Sequence, residues 1–218
     1  LIQLKITSDG SHTLFVPELN EHYHSIHGAV QESSIVFIKN GYQFCQEETV
    51  NILEIGFGTG LNVLLTLAAS MDDKRRIHYT AIEKYPLEEK IIKALNHPVF
   101  AGEKGKYFFK KLHSAPWDLT VMIHEKFSLT KHKGDLITDN LTGNYNLVYF
   151  DAFAPDKQPE MWSEEVFRKI SGVTLSGGII VTYSSKGQIK RILRSNGFSV
   201  YLIPGPPGKR EVIRAIKN

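Results

Sequence analysis

Residues 50–60 read VNILEIGFGTG. The aliphatic and β-branched run Val50, Ile52, Leu53 and Ile55 suits a strand buried on both faces of a parallel sheet. Glu54 sits within it, and Gly56, Gly58 and Gly60 follow at alternate positions. Glycine lets the backbone turn tightly and approach a ligand with no Cβ in the way. A helical pattern over residues 61–69 comes next, so the loop joins a strand to a helix, where adenosine-bearing cofactors bind in open α/β sheets.

The spacing narrows the cofactor. A dinucleotide fingerprint places its third glycine one position later, where this chain has Leu61. The pattern G-x-G-x-G preceded by Glu54 instead resembles motif I of S-adenosylmethionine-dependent methyltransferases. A second strand over residues 78–82 ends at Glu83, 23 residues beyond Gly60. A carboxylate there is placed to accept hydrogen bonds from both ribose hydroxyls. The alternative reading is a nicotinamide-type or empty Rossmann domain.

Length and composition fit one compact domain over residues 1–218, with 42% hydrophobic and 22% charged residues. The single cysteine, Cys45, cannot form an internal disulfide and is read as packing, which points to a reducing, cytoplasmic setting. No apolar run approaches the roughly 18 residues of a membrane span. A net charge of +3 and a pI near 8.8 permit a nucleic-acid partner without requiring one.

Residues 2–7 and 12–16 read as a hairpin turning at Ser8-Asp9-Gly10. A helix is expected over residues 25–39, with Gly41 as its stop. Residues 1–45 thus form an N-terminal, substrate-side extension. A helix follows Pro86 to about Asn96. Residues 97–132 are assigned to an insertion, irregular over 97–118 and then a hairpin of 119–124 with 127–132. A strand over 146–150 ends at Asp151, and a helix over 163–170 starts at Ser163 with Glu164 and Glu165 in its first turn. Residues 179–183 form a strand and 186–196 a helix stopped by Gly197. The last two strands, 198–203 and 211–216, are joined by so short a loop that they must pair antiparallel. The expected fold is α/β and Rossmann-like: a mainly parallel sheet with an antiparallel last strand.

Asp151-Ala152-Phe153-Ala154-Pro155-Asp156 lies at the carboxyl end of a central strand, where ligands collect. It is similar in role to the acidic, proline and aromatic segment of amine methyltransferases. An alkylamine with a pKa of about 10 is protonated at neutral pH and has no lone pair. A nearby carboxylate can take that proton and orient the freed lone pair. The alternative is that Asp151 only contacts the cofactor or caps a turn.

A more specific resemblance rests on several segments. They are residues 9–14 (DGSHTL), 20–25 (NEHYHS), 28–33 (GAVQES), 54–62 (EIGFGTGLN), 151–162 and 204–211. Together they resemble the tRNA 5-aminomethyl-2-thiouridine methyltransferase family, of the MnmD type, which also forms the methyltransferase domain of the bifunctional MnmC enzymes. The resemblance implies methyl transfer from S-adenosylmethionine to the aminomethyl nitrogen of the uridine at the tRNA wobble position (34). It implies Asp151 as general base, with Glu54, Gly56, Gly58, Gly60, Glu83 and Asp135 as cofactor positions, Asp135 near the adenine amino group. No flavin oxidase segment is expected within this chain. The 97–130 region matches the family only loosely.

Lys186, Lys190, Arg191 and Arg194 share a helical face, and Lys209-Arg210 sit beside the proline–glycine loop. This stripe is a candidate for the phosphates of a tRNA anticodon region, or else a solvated face. A wobble base must be splayed into the pocket and stacked on an aromatic. Tyr23, Phe153, Trp162 and Tyr183 are candidates, with His24 beside the first; core packing is the competing role for each aromatic except Tyr23, whose polar setting beside Asn20, Glu21 and His24 favours the pocket. His22, His24 and His27 lack the spacing or thiolate support of a metal site. Two other classes remain open: a small-molecule amine methyltransferase and a non-catalytic RNA-binding module.

Overall fold

The computed structural model describes residues 1–218. Strands β1 (Gln3–Ile6), β2 (His12–Val16) and β3 (Glu21–His22) form a small antiparallel sheet. The turn between β1 and β2 is organised by Asp9. Its Oδ1 accepts from Ser11 N (3.0 Å) and Thr7 Oγ1 (2.7 Å), and its Oδ2 accepts from Gln31 N (2.9 Å) at the start of the first helix. Burial opposes ionisation of Asp9, yet these hydrogen bonds outweigh it and hold the carboxyl below its usual pKa.

That helix, α1 (Ala29–Ser33), starts four residues later than the sequence pattern indicates and continues as a π-helical stretch, Ser34–Tyr42. Gly41 does not stop it. A Cβ there would come within 3.0 Å of the Tyr149 ring and 3.1 Å of Val181, so glycine is needed where the helix lies flat on the sheet. Tyr42 beyond it donates to Asp73 (2.7 Å), and the Arg75 guanidinium lies 4.2 Å from the Tyr42 ring centroid while donating to the Cys45 carbonyl. Cys45 is buried, as expected.

The main sheet adds β4 (Thr49–Ile55), β5 (Arg76–Glu83), β6 (Thr120–His124), β7 (Phe127–Lys133), β8 (Tyr145–Phe150), β9 (Thr174–Thr182), β10 (Phe198–Pro204) and β11 (Glu211–Lys217). Their order is β10-β11-β9-β8-β4-β5-β7-β6. β11 runs antiparallel between β9 and β10, as expected of the last strand, and β6 adds a second antiparallel strand at the far edge. Helices α2 (Leu61–Ala69) and α4 (Gly105–Ser114) pack on one face with the π-helical stretch, while α5 (Glu164–Val173) and α6 (Gly187–Ser195) cover the other. Ser163 caps α5 by accepting from Val166 N (3.3 Å).

Two further expectations change. Helix α3 (Glu89–Ala94) is shorter than residues 86–96. Leu95 is already extended, and the Asn96 side chain accepts from His12 N (2.8 Å) and donates to Gly10 O (2.9 Å), tying the crossover to the N-terminal hairpin. Residues 97–132 are also more integral than an insertion. α4 buries Phe108, Phe109 and Leu112, and β7 pairs with β5 from Ile77↔Phe127 to Glu83↔Lys133. Short flanking breakers concealed α4, whose apolar residues lie on one face.

Gly41→Val should overpack the helix–sheet contact and destabilise the protein by about 1–3 kcal/mol. Chemical denaturation would measure it, and an unchanged midpoint would mean that the helix rides off the sheet freely.

Candidate active site

The carboxyl ends of β4, β5 and β8 open into a cleft of about 550 Å³. Its floor is the glycine loop. Gly56, Gly58 and Gly60 have φ of +90°, +49° and +71°, the left-handed region that glycine enters without strain. Space is as tight as torsion. A Cβ at Gly56 would lie 2.9 Å from the Asp151 carbonyl, and one at Gly58 would lie 3.2 Å from the Tyr23 ring.

Glu83, at the end of β5, accepts from Gly58 N through Oε2 (2.9 Å) and from Tyr85 N through Oε1 (2.8 Å). Each oxygen keeps spare acceptor capacity and Glu83 lines the cleft, which suits a pair of hydroxyls. Asp135 lines the same wall. Lys84, 2.8 Å from its Oδ2, and the Ile137 N–H at 2.9 Å hold its carboxyl below the usual range. The residues therefore fit S-adenosylmethionine: a side-chain-free cradle, a doubly braced carboxylate and a second carboxylate further along.

Glu54 is a correction. It is fully buried, lies outside the cleft lining, and neither carboxylate oxygen has a hydrogen-bond partner. Burial first, and the nearby Asp151 charge second, push its pKa well up.

Asp151 follows β8, and its N–H donates to Ile55 O (3.1 Å). Its Oδ2 accepts from Asn62 Nδ2 (2.8 Å) in the first turn of α2, and its side chain lines the cleft. Burial pushes its pKa up to about 7; Glu32 adds to the rise, while Asn62 and Lys209 oppose it. A carboxyl poised there can exchange a proton near neutral pH.

The aromatics expected of the pocket divide. Tyr23 packs over Gly58 and meets Phe153 edge-to-face, with centroids 5.0 Å apart, and both line the cleft. Tyr183 lines it too and donates to Ala152 O (2.8 Å). Trp162 is core, buried against Phe150 and Phe167 with its indole N–H donating to Phe153 O (2.7 Å). His24 borders the cleft, but its Nε2 is engaged with Thr59 Oγ1 (3.0 Å), and burial drops its pKa to about 4. It holds the loop as a neutral ring.

Of the basic residues expected to face tRNA, only Lys209 reaches the cleft, where it pairs with Glu32. Lys186 pairs with Asp156 (2.5 Å), while Arg191, Arg194 and Arg210 are exposed and Lys190 is half-buried, all four without an ion-pair partner. Sequence reading missed Asn62, Glu32, His113 and Lys131. Asn62 and Glu32 stand inside quoted motifs, so their signal was present but carried no role. His113 Nε2 lies 3.1 Å from Thr59 O, and the buried Lys131 donates to His113 O (3.0 Å), bracing the loop from behind. Nothing in their spacing marks them.

Comparison with known proteins agrees with this geometry. The family model described as S-adenosyl-L-methionine-dependent methyltransferase matches residues 104–218. The tRNA 5-methylaminomethyl-2-thiouridine biosynthesis bifunctional protein MnmC of Burkholderia multivorans is 32% identical, across 96% of this chain and 34% of that protein. The chain spans about a third of the length of the curated relatives it matches. The crystal structure of MNMC2 from Aquifex aeolicus superposes with a TM-score of 0.83 at 27% identity, covering 99% of this chain and 70% of that one. Spermidine synthase from Thermotoga maritima, at 11% identity and a TM-score of 0.60, shares the fold over 99% of this chain and 68% of its own. With cradle, carboxylates and family match in agreement, the chain belongs to the S-adenosyl-L-methionine-dependent methyltransferases.

Proposed function

We propose that this protein methylates the aminomethyl nitrogen of a 5-aminomethyl-2-thiouridine at the wobble position of tRNA, with Asp151 as general base. The observation that carries the reading is Asp151 itself, a cleft carboxylate with a pKa raised to about 7 at the end of β8. The relatives named for 5-methylaminomethyl-2-thiouridine biosynthesis point to the same substrate. Asp151 would take one proton from the substrate ammonium, leaving a neutral amine and a carboxylic acid. S-adenosylmethionine, when bound, supplies a methyl group activated by its sulfonium. The freed amine lone pair would accept that methyl group, leaving a secondary ammonium and, on the cofactor side, a thioether.

Asn62 holds one Asp151 oxygen and leaves the other for the amine. Tyr23 and Phe153 offer a pair of crossed rings for a splayed base. Glu83 and Asp135 are assigned to the ribose and adenine of the cofactor, above the glycine cradle. The exposed Arg191, Arg194 and Arg210, with Lys186 and Lys190, give a positive surface suited to phosphates of the anticodon region. A small-molecule amine substrate is the alternative, and indifference to tRNA would favour it.

Asp151→Asn should keep S-adenosylmethionine binding and lower turnover on tRNA by about 10²–10⁴-fold; methyl transfer at the wild-type rate removes the general base. Turnover in the wild type should rise with pH through about 7, as Asp151 ionises. The same raised pKa makes the native state bind more protons than the unfolded chain, so stability falls as pH climbs from the ordinary carboxylate range through 7. Asp151→Asn should therefore raise Tm more at pH 8 than at pH 4.5, and an equal change at both would refute the buried carboxyl. Glu83→Ala should weaken S-adenosylmethionine binding in calorimetry by tenfold or more, roughly the loss of one or two charge-assisted hydrogen bonds; an unaltered Kd overturns the ribose assignment.

A further inference from the structure

Two charged side chains from opposite ends of the chain meet in the cleft that Asp151 also lines. Glu32 lies in the first turn of α1 and is buried, with Oε2 accepting from Ser25 N (2.8 Å) and Oε1 ion-paired with Lys209. Lys209 comes from the loop joining β10 to β11. That loop is folded back on itself: Gly205 N donates to Arg210 O (3.1 Å) and Lys209 N to Pro206 O (2.9 Å). Gly208, at φ +84°, lies so close to His27 that a Cβ would fall 2.2 Å from its ring. The ammonium of Lys209 also sits 4.6 Å from the centroid of Tyr183, whose hydroxyl donates to the carbonyl next to Asp151.

We infer that Glu32 and Lys209 are a positioning pair for the amine: they fix the charge that the substrate and Asp151 share in the cleft. The inference rests on Asp151 being the general base. All three residues line the cleft, yet only Asp151 is free of a counter-charge. An isolated buried charge is costly, and a paired one presents a dipole of fixed direction. Lys209, spent on Glu32, is therefore part of the reaction pocket and not of the phosphate-facing surface.

The other groups acting on Asp151 are fixed and few. Asn62 from α2 donates to it, Glu54 from β4 is a fully buried carboxyl whose pKa burial raises, and the buried Tyr79 from β5 and half-buried Tyr183 beyond β9 are phenols whose pKa values burial also raises. Glu83 stands across the same cleft. Of these neighbours, Glu32 raises the Asp151 pKa and Lys209 lowers it, so removing either member alone leaves the other unbalanced.

The test is a pH profile of turnover on tRNA for the wild type, Glu32→Gln, Lys209→Met, the double variant and Lys209→Arg. A ¹³C carboxyl titration of Asp151, assigned with Asp151→Asn, is run in parallel on protein without cofactor. Glu32→Gln should move the acid limb and the Asp151 titration down by about one unit, and Lys209→Met should move both up by a similar amount. The double variant should fall between them, and Lys209→Arg should keep the wild-type limb. Unmoved limbs, or both single variants moving the same way, overturn the pair. If one variant does not fold, the other and the arginine variant decide alone. No methyl transfer to tRNA, with the two titrations still moving oppositely, would instead sink the proposed substrate and leave the pair standing.

Discussion

The parallel pairing of β4 with β8 governs the rest of the molecule. Ile55 lies opposite Phe150, so the two chains leave the sheet side by side, and Asp151 N donates back to Ile55 O. From there one chain becomes the glycine loop and the other the Asp151 segment. They pass so closely that Gly56 has no room for a side chain against the Asp151 carbonyl. β4 is also where the sheet order reverses: the chain leaves β4 toward β5 on one side and reaches β8 on the other. Ligands bind at such a switch point because the connecting helices diverge and leave a crevice there.

That contact explains the electrostatics of the cleft. Packing two strand ends so tightly leaves Glu54 fully buried and Asp151 half-buried. Both carboxyls are pushed toward their neutral forms by the same burial, but only Asp151 faces the cleft. One lies outside the cleft lining. The other can work near neutral pH. Carboxyls with separated environments have separated roles.

The N-terminal extension completes the site. Asp9 organises the first turn and receives the N-terminus of α1, which delivers Glu32 to the cleft. Tyr23 and His24 press on the glycine loop from the same side, one over Gly58 and the other through Thr59. From behind, His113 and Lys131 hold the same loop through Thr59 O and His113 O. The loop is thus clamped between the added hairpin and α4, which preorganises it for a ligand at no cost in ordering.

Much of this was legible in the chain. The strand–glycine–helix passage over residues 50–69, the carboxylate at the end of β5 and the acidic–aromatic segment after β8 are local patterns, and local patterns survive in sequence because backbone torsion and strand period demand them. The antiparallel β11 followed from the shortness of its connecting loop. Contacts between distant residues were not legible. Gly41 read as a helix stop because a glycine's local meaning is termination, whereas its role is set by Tyr149 and Val181, far along the chain. Glu54 read as a ligand contact because its side-chain direction depends on which face of β4 the helices cover. The ion pair of Lys209 was not legible either, because nothing near it in sequence names Glu32, 177 residues away. Torsional demands are written residue by residue, while charge pairing and burial exist only once the sheet has brought its strand ends together.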